Sequence, residues 1–143
     1  MALKVRDTMT GSPRSIDAST SVVQAAQLMR EGHIGSLPIT DDELLVGMIT
    51  DRDIAMRVVA EAADHTKTSV GDVSSRDLVT VEPDEDLDEA LQLMARHQVR
   101  RLPVVENGRL VGIVAQADIA LSEHEKTAKL VEAISAPSEQ ERS

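Results

Sequence analysis

Several residue types are absent from this 143-residue chain, which contains no Cys, Trp, Tyr or Phe. Without Cys, neither a disulfide framework nor a thiolate metal site can form, and a reducing cytoplasm is the expected location. Without aromatic rings, the core must come from aliphatic side chains and the six Met. A bound purine base could therefore not stack on the ring of a Phe, Tyr or Trp.

Positive charge is also scarce, since 15 Lys and Arg stand against 25 Asp and Glu, for a formal net charge of -10. This excess of negative charge repels a phosphate backbone and argues against nucleic acid as a partner. No apolar run approaches the roughly 20 residues that span a bilayer, so no membrane partner is expected. The four His are scattered rather than paired at helical spacing with a carboxylate, so no metal site is predicted.

An internal repeat organises the chain. A constant shift of 65 positions places Val5 on Val70, Gly47 on Gly112 and Asp53 on Asp118 without a gap. Other matches in the same register are Ala25 with Ala90, Gln27 to Met29 with Gln92 to Met94, and Leu37-Pro38 with Leu102-Pro103. One offset held through so many positions indicates a duplicated unit.

Within each copy, the spacing of the apolar residues along the chain changes in the same order. This order predicts the secondary structure of each copy. A short helical turn and a brief strand (near 14–16 and 78–81) precede a long helix, then two β-rich runs around a tight turn, then a closing helix. Ser19 and Asp84 are candidate caps of the long helices, and Asn107-Gly108 is a strong hairpin signal. The sequence predicts a mixed α/β (α+β) fold of two β-α-β-β-α repeats with pseudo-twofold symmetry, whose short sheets are flanked by helices.

The repeat also predicts the domain boundaries. The expected units are a first domain at 5–62, a linker at 63–69 and a second domain at 70–122, followed by a C-terminal helix at 123–135 and a disordered tail at 136–143.

Candidate binding chemistry lies where a strand runs into a helix, from Gly47 to Asp53. The helix start attracts anions, Thr50 adds a hydroxyl, and Arg52 could contact a phosphate. The Asp53 carboxylate could accept hydrogen bonds from both ribose hydroxyls. The same Thr-x-x-Asp spacing is also that of a helix capping box, which stabilises the helix and needs no ligand. The residues alone leave both interpretations open.

With these segments in view, the chain resembles a tandem pair of cystathionine β-synthase (CBS) domains, also called a Bateman module. The resemblance covers about Val5 to Leu121 and depends on four segments: Ile34 to Ile39, Val99 to Val104, Leu45 to Asp53 and Leu110 to Asp118. It implies disc-like homodimers that bind AMP, ADP, ATP, S-adenosylmethionine or related ligands in clefts between the copies.

The resemblance also implies which residues would bind such a ligand. Thr50 would meet a phosphate and Asp53 the ribose, while residues 10–14 and 34–37 would hold the base. The expected site residues are Thr10, Ser12, Pro13, Ile34, Gly35, Ser36, Leu37, Thr50, Arg52, Asp53 and Asp118. In the second copy Ala115 replaces the hydroxyl residue, so its cleft is expected to bind weakly or to be vacant.

Two functions remain open from the sequence. The first is a non-catalytic sensor that binds an adenosine-containing ligand, forms a homodimer and regulates an unidentified protein in trans. The alternative is a ligand-free dimeric interaction or stress-associated scaffold protein with vestigial clefts. Catalysis is not expected, because the sequence contains no nucleophile motif and no pair of carboxylates in a recognisable catalytic arrangement.

Overall fold

The computed structural model describes residues 3–121, and the structural statements below concern those residues. The helix predicted at 123–135 and the tail predicted at 136–143 lie outside them.

The observed elements follow the duplicated order. The strands are β1 (Thr10–Gly11), β2 (Ser36–Asp41), β3 (Leu44–Thr50), β4 (Arg101–Glu106) and β5 (Arg109–Ala115). The helices are α1 (Val22–Gly32), α2 (Asp51–Ile54) with a π-helical continuation at Ala55–Val59, α3 (Val70–Val73) and α4 (Leu87–His97). A 3-10 turn spans Val5–Asp7, and residues 116–121 are helical. This confirms the predicted mixed fold of two equivalent repeats with short strands flanked by helices.

Two antiparallel hairpins form the sheet. β2 pairs with β3 and β4 pairs with β5, and the hairpins meet where Leu44 pairs with Arg109. The turn at Asn107-Gly108 has φ values of 54° and 79°, as a type I′ turn requires. The first repeat makes the same turn with Asp42 (φ 51°) and Glu43 (φ 71°). The left-handed backbone conformation at positive φ is strained for residues other than glycine.

The long helices bury one apolar stripe each, as their period predicts. Their starts differ from the prediction. Ser21, not Ser19, is the cap of α1, because its hydroxyl accepts from the Gln24 N–H at 3.1 Å. Ser19 instead donates to the Asp17 carboxylate. At α4 the cap position is Asp86. The residue predicted for this position, Asp84, instead forms an ion pair with Arg6.

The brief strands predicted at 14–16 and 78–81 are reduced to single parallel bridges, Ile16 with Ile39 and Val81 with Val104. The segment before each bridge crosses to the other repeat. Thr10 pairs with Ile113 on β5. Its equivalent in the second repeat, Ser75, pairs with Met48 on β3.

Each repeat completes the other's core because of these crossings. Val70 and Val73 belong to the cluster around β2, β3 and α1. Val5, with Leu3 and Met9 beside it, belongs to the cluster around β4, β5 and α4. The two halves are therefore interlocked.

Candidate functional site

The end of β3 and the start of α2 form the corner that the sequence singled out. The Thr50 N–H donates to Asp53 Oδ2 at 2.9 Å, and the Asp53 N–H donates to Thr50 Oγ1 at 3.0 Å. Both residues are half-buried. This is a reciprocal capping box, so the structural interpretation of the Thr-x-x-Asp spacing is confirmed.

The capping box does not use all the hydrogen-bonding capacity of the two side chains. Asp53 Oδ2 accepts from the backbone, which leaves Oδ1 to accept from a ligand hydroxyl. Thr50 Oγ1 accepts a bond and still has its own proton to donate. The cap also fixes the direction of the Asp53 carboxylate, which reduces the entropy lost when a ligand binds.

The start of β2 lies directly beside this corner. Ser36 pairs with Thr50 in the β2–β3 ladder, and the Asp51 N–H donates to the Gly35 carbonyl at 2.9 Å. A Cβ atom on Gly35 would lie 3.1 Å from Asp51 Oδ2, so glycine permits this close approach. The structure thus brings Gly35 and Ser36 to the corner of Thr50 and Asp53.

The other predicted residues of β2 and α2 differ in their accessibility. Leu37 is only 1% exposed and belongs to the first core, so its side chain is not part of an open wall. Ile34 is half-buried and packs against the same core. The Arg52 side chain is exposed on the first turn of α2.

Thr10, Ser12 and Pro13 belong to the segment around β1, which pairs with β5 and not with β3. Thr10 pairs with Ile113 of β5, and the Thr8 hydroxyl donates to the Asp118 carbonyl at 3.2 Å. This segment therefore lies beside the second repeat's corner, where Asp118 stands in the helix at 116–121. This segment does not pair with β3, the strand that ends at Thr50.

A short segment of the second repeat, bridged to β3 at one position, lies beside this strand, and the sequence did not predict it there. Met48 and Ser75 exchange backbone hydrogen bonds at 3.2 and 3.1 Å. A Cβ atom on Gly47 would lie 3.3 Å from the Ser74 hydroxyl. The constant shift already equates Ser75 with Thr10, but periodicity could not reveal that these segments are exchanged between the repeats.

The corner of the second repeat lacks the hydroxyl. Ala115 ends β5 and is 8% exposed, so it offers neither a cap acceptor nor a ligand donor. Asp118 is half-buried and could still accept from a ligand. Among residues 3–121, no three His, Cys, Asp or Glu side chains are grouped as a metal site would require. No helix in that part of the chain is long and apolar enough to cross a membrane.

A duplicated α/β unit with interlocked halves and a polar corner at each strand-to-helix junction defines the class of paired regulatory modules. The family model of the CBS domain matches residues 5–60 and 70–124. The chain belongs to this family, as a tandem pair of CBS domains.

Three similar proteins illustrate the family. The CBS domain-containing protein YhcV of Bacillus subtilis is 43% identical over 119 residues, which cover 83% of this chain and 84% of that protein. The crystal structure of Hypoxic Response Protein I, with two coordinated zinc ions, has a TM-score of 0.77 and 40% identity and covers 82% of this chain and 97% of its own. The CBS domain pair of protein MJ0100, in complex with 5-methylthioadenosine and S-adenosyl-L-methionine, has a TM-score of 0.77 and 30% identity and covers 88% of this chain and 99% of its own.

Tandem CBS pairs are regulatory modules, and stand-alone CBS-domain proteins are generally regulatory and not catalytic.

Proposed function

We propose that this chain is a non-catalytic cytoplasmic sensor that binds an adenosine-containing ligand at the corner of Thr50 and Asp53. The ligand would be of the AMP, ADP, ATP or S-adenosylmethionine type. The chain would act as a homodimer on another protein in trans. The observation that carries the proposal is the Asp53 carboxylate, which the Thr50 N–H holds in place at 2.9 Å with one oxygen left to a ribose hydroxyl.

Two further features support this proposal. Gly35 brings the start of β2 close to the corner without a side chain. A related CBS pair is seen with two adenosyl compounds. For such a ligand, the hydrogen bond to the carboxylate would contribute about 1.5 to 3 kcal/mol.

The test begins with an ultraviolet spectrum of the purified full chain. Because the chain has no Trp, Tyr, Phe or Cys, any adenine that co-purifies dominates the near-ultraviolet absorbance. Calorimetric titration with AMP, ATP and S-adenosylmethionine follows. Affinity in the micromolar range, about -8 kcal/mol, supports the sensor, and no heat with any of the three contradicts it.

The alternative is a ligand-free scaffold, and two observations favour it. The Thr50–Asp53 pair is fully explained as a helix cap, and the second repeat has lost the hydroxyl at Ala115. A scaffold would form its dimer and bind no adenosyl compound. The same titrations therefore separate the two functions.

A further inference from the structure

A groove of about 730 Å³ opens in the first repeat beside the turn of the β2–β3 hairpin. We call it the hairpin groove and define it by Asp17, Asp41, Asp42, Val46, Gly71 and Ser74, which line it. Neither Thr50 nor Asp53 lines it. Val46 leaves 41% of its surface exposed there, so the groove has an apolar patch with acidic residues around it.

Beside the second core, the equivalent place is filled by side chains, including Met9, which crosses over from the first repeat. The shift equates Ser74 with Met9 and Val46 with Val111. Both Met9 and Val111 pack against the second core. A Cβ atom on Gly112 would lie 2.7 Å from the Met9 sulfur, so this methionine covers the strand. Gly47 is covered less closely, because the atoms nearest to a Cβ there are the Ser74 hydroxyl, the Ser75 carbonyl oxygen and Ile39 Cδ1, at 3.3 to 3.5 Å.

An arginine also lies in the equivalent place beside the second core. Arg6, the equivalent of Gly71, donates through Nε to Asp84 Oδ1 at 2.8 Å, and its Nη2 lies 2.6 Å from the same oxygen. Gly71 cannot be replaced by a side chain without movement, because its Cβ would lie 2.9 Å from the Ala18 carbonyl oxygen. The backbones of Gly71 and Ala18 are therefore packed closely together, and no side chain projects from position 71 into the groove.

Charge in the hairpin groove is mainly negative. Three aspartates face one cation, Arg76, among the lining residues. The backbone N–H of Ser19, and then its hydroxyl, hold the pKa of Asp17 below its ordinary value, so this carboxylate is ionised at neutral pH. Such a groove is complementary to a basic segment.

We propose that the hairpin groove docks the protein that this module regulates. The partner segment inserts a methionine-like side chain over Val46 and Gly47 and presents arginine to the aspartates. The chain's own Met9 occupies the equivalent place beside the second core, and Arg6, three residues before it, pairs there with Asp84, the counterpart of the groove residue Ser19. The proposal rests on the proposed action in trans but not on the adenosyl ligand, since the groove and the Thr50 corner have no residue in common.

The test uses a defined peptide, acetyl-Ala-Arg-Ala-Ala-Met-Arg-Ala-amide, with the spacing of Arg6 and Met9. It is titrated into the full ¹⁵N-labelled chain by NMR and calorimetry. We expect saturable shifts at Thr40, Val46 and Ser74. A matched peptide with glutamate in place of both arginines should bind at least tenfold more weakly.

Two variants locate the binding. Ser74→Met fills the groove as Met9 fills the other and should weaken peptide binding at least tenfold. Asp42→Asn removes one charge, is compatible with the positive φ because Asn107 occupies the equivalent position, and should weaken binding about threefold. If the Ser74→Met variant does not fold, the Asp42→Asn variant still tests whether the peptide binds in the groove. Titration of both variants with AMP, ATP and S-adenosylmethionine shows separately whether the ligand corner functions.

Three outcomes would overturn the proposal: no shifts with millimolar peptide, shifts confined to residues outside the groove, or equal binding of the arginine and glutamate peptides. Unchanged affinity for the arginine peptide in a folded Ser74→Met variant would also overturn the proposal. If the peptide binds as expected while no adenosyl compound does, the docking site stands and the sensor function fails.

Discussion

Leu44 and Arg109 pair directly with each other across the sheet and are also equivalent positions of the two repeats. The pseudo-twofold axis therefore passes between them. On either side of it, the Leu45 N–H donates to the Gly108 carbonyl and the Leu110 N–H donates to the Glu43 carbonyl, both at 3.0 Å. The two hairpin turns thus bind each other through backbone groups that do not depend on the side chain at either turn.

The turn of the first repeat should tolerate glycine better than its present residue. Glu43 has φ 71°, which costs a non-glycine residue about 1 to 2 kcal/mol. Glu43→Gly removes that strain and also the exposed pair with Arg109, which contributes about 0 to 1 kcal/mol. We expect a gain of about 1 kcal/mol in the free energy of unfolding, measured in urea. Gly108→Ala, at φ 79°, should show a loss of similar size, and a destabilised Glu43→Gly protein would contradict this account.

Asp53→Ala should reduce affinity for the adenosyl ligand at least tenfold, because the charged hydrogen bond from a ribose hydroxyl to Asp53 Oδ1 is lost. It also removes a capping bond worth about 1 kcal/mol of stability. Asp72→Ala is the matched control, since the Ser69 N–H donates to Asp72 Oδ2 at 3.1 Å in the same type of cap. The control should lose similar stability and keep its affinity. Asp118→Ala should change binding little, and equal losses at Asp53 and Asp118 on calorimetry would refute the asymmetry.

Restoring the missing hydroxyl should improve the second corner. Ala115→Thr places an acceptor where it can cap the helix that begins at residue 116, for a gain of about 1 kcal/mol. The number of ligands bound per chain should rise toward two when measured calorimetrically at saturating ligand. A stoichiometry that stays at one, in a stabilised variant, would show that the hydroxyl is not what the second corner lacks.

The interlocked cores predict where a truncated side chain has its effect. Val5 is 0% exposed and lies in the second core. Val5→Ala should cost about 2 kcal/mol and should increase hydrogen exchange first in β4 and β5. Val70→Ala, at the equivalent position of the first core, should first affect β2 and β3. Exchange that rises in the repeat containing the mutation would contradict the described crossing.

Ser19→Ala should raise the pKa of Asp17 only part of the way toward its ordinary value of 3.8. The backbone N–H, which is the larger cause of the lowering, remains in the variant, and only the hydroxyl is lost. Because the folded pKa is depressed, the associated stability is present above the unfolded pKa and disappears as pH falls through the folded one. A carboxyl ¹³C titration measures the shift, and a pKa that falls in the variant would contradict this assignment.

The duplicated fold could be predicted because its signals are local. Helical spacing located α1 and α4, Asn107-Gly108 located a turn, and one constant offset equated the halves. The helix caps were misplaced by two residues, because Ser19 and Ser21 are both suitable capping residues and only tertiary contacts decide between them. Thr50, Asp53, Gly35 and Ser36 were brought together as expected. The contact of Ser75 with Met48 could not be predicted, because the exchange of segments between the repeats depends on packing at long range, which periodicity does not encode.

The crossing of segments also has a consequence for synthesis. Val70 and Val73 complete the core around α1, so the first half cannot finish folding when its own closing helix leaves the ribosome. It must wait until the start of the second half has emerged. The second core receives Val5 from a segment that is synthesised before the rest of that core, and this segment must wait until β5 has been made.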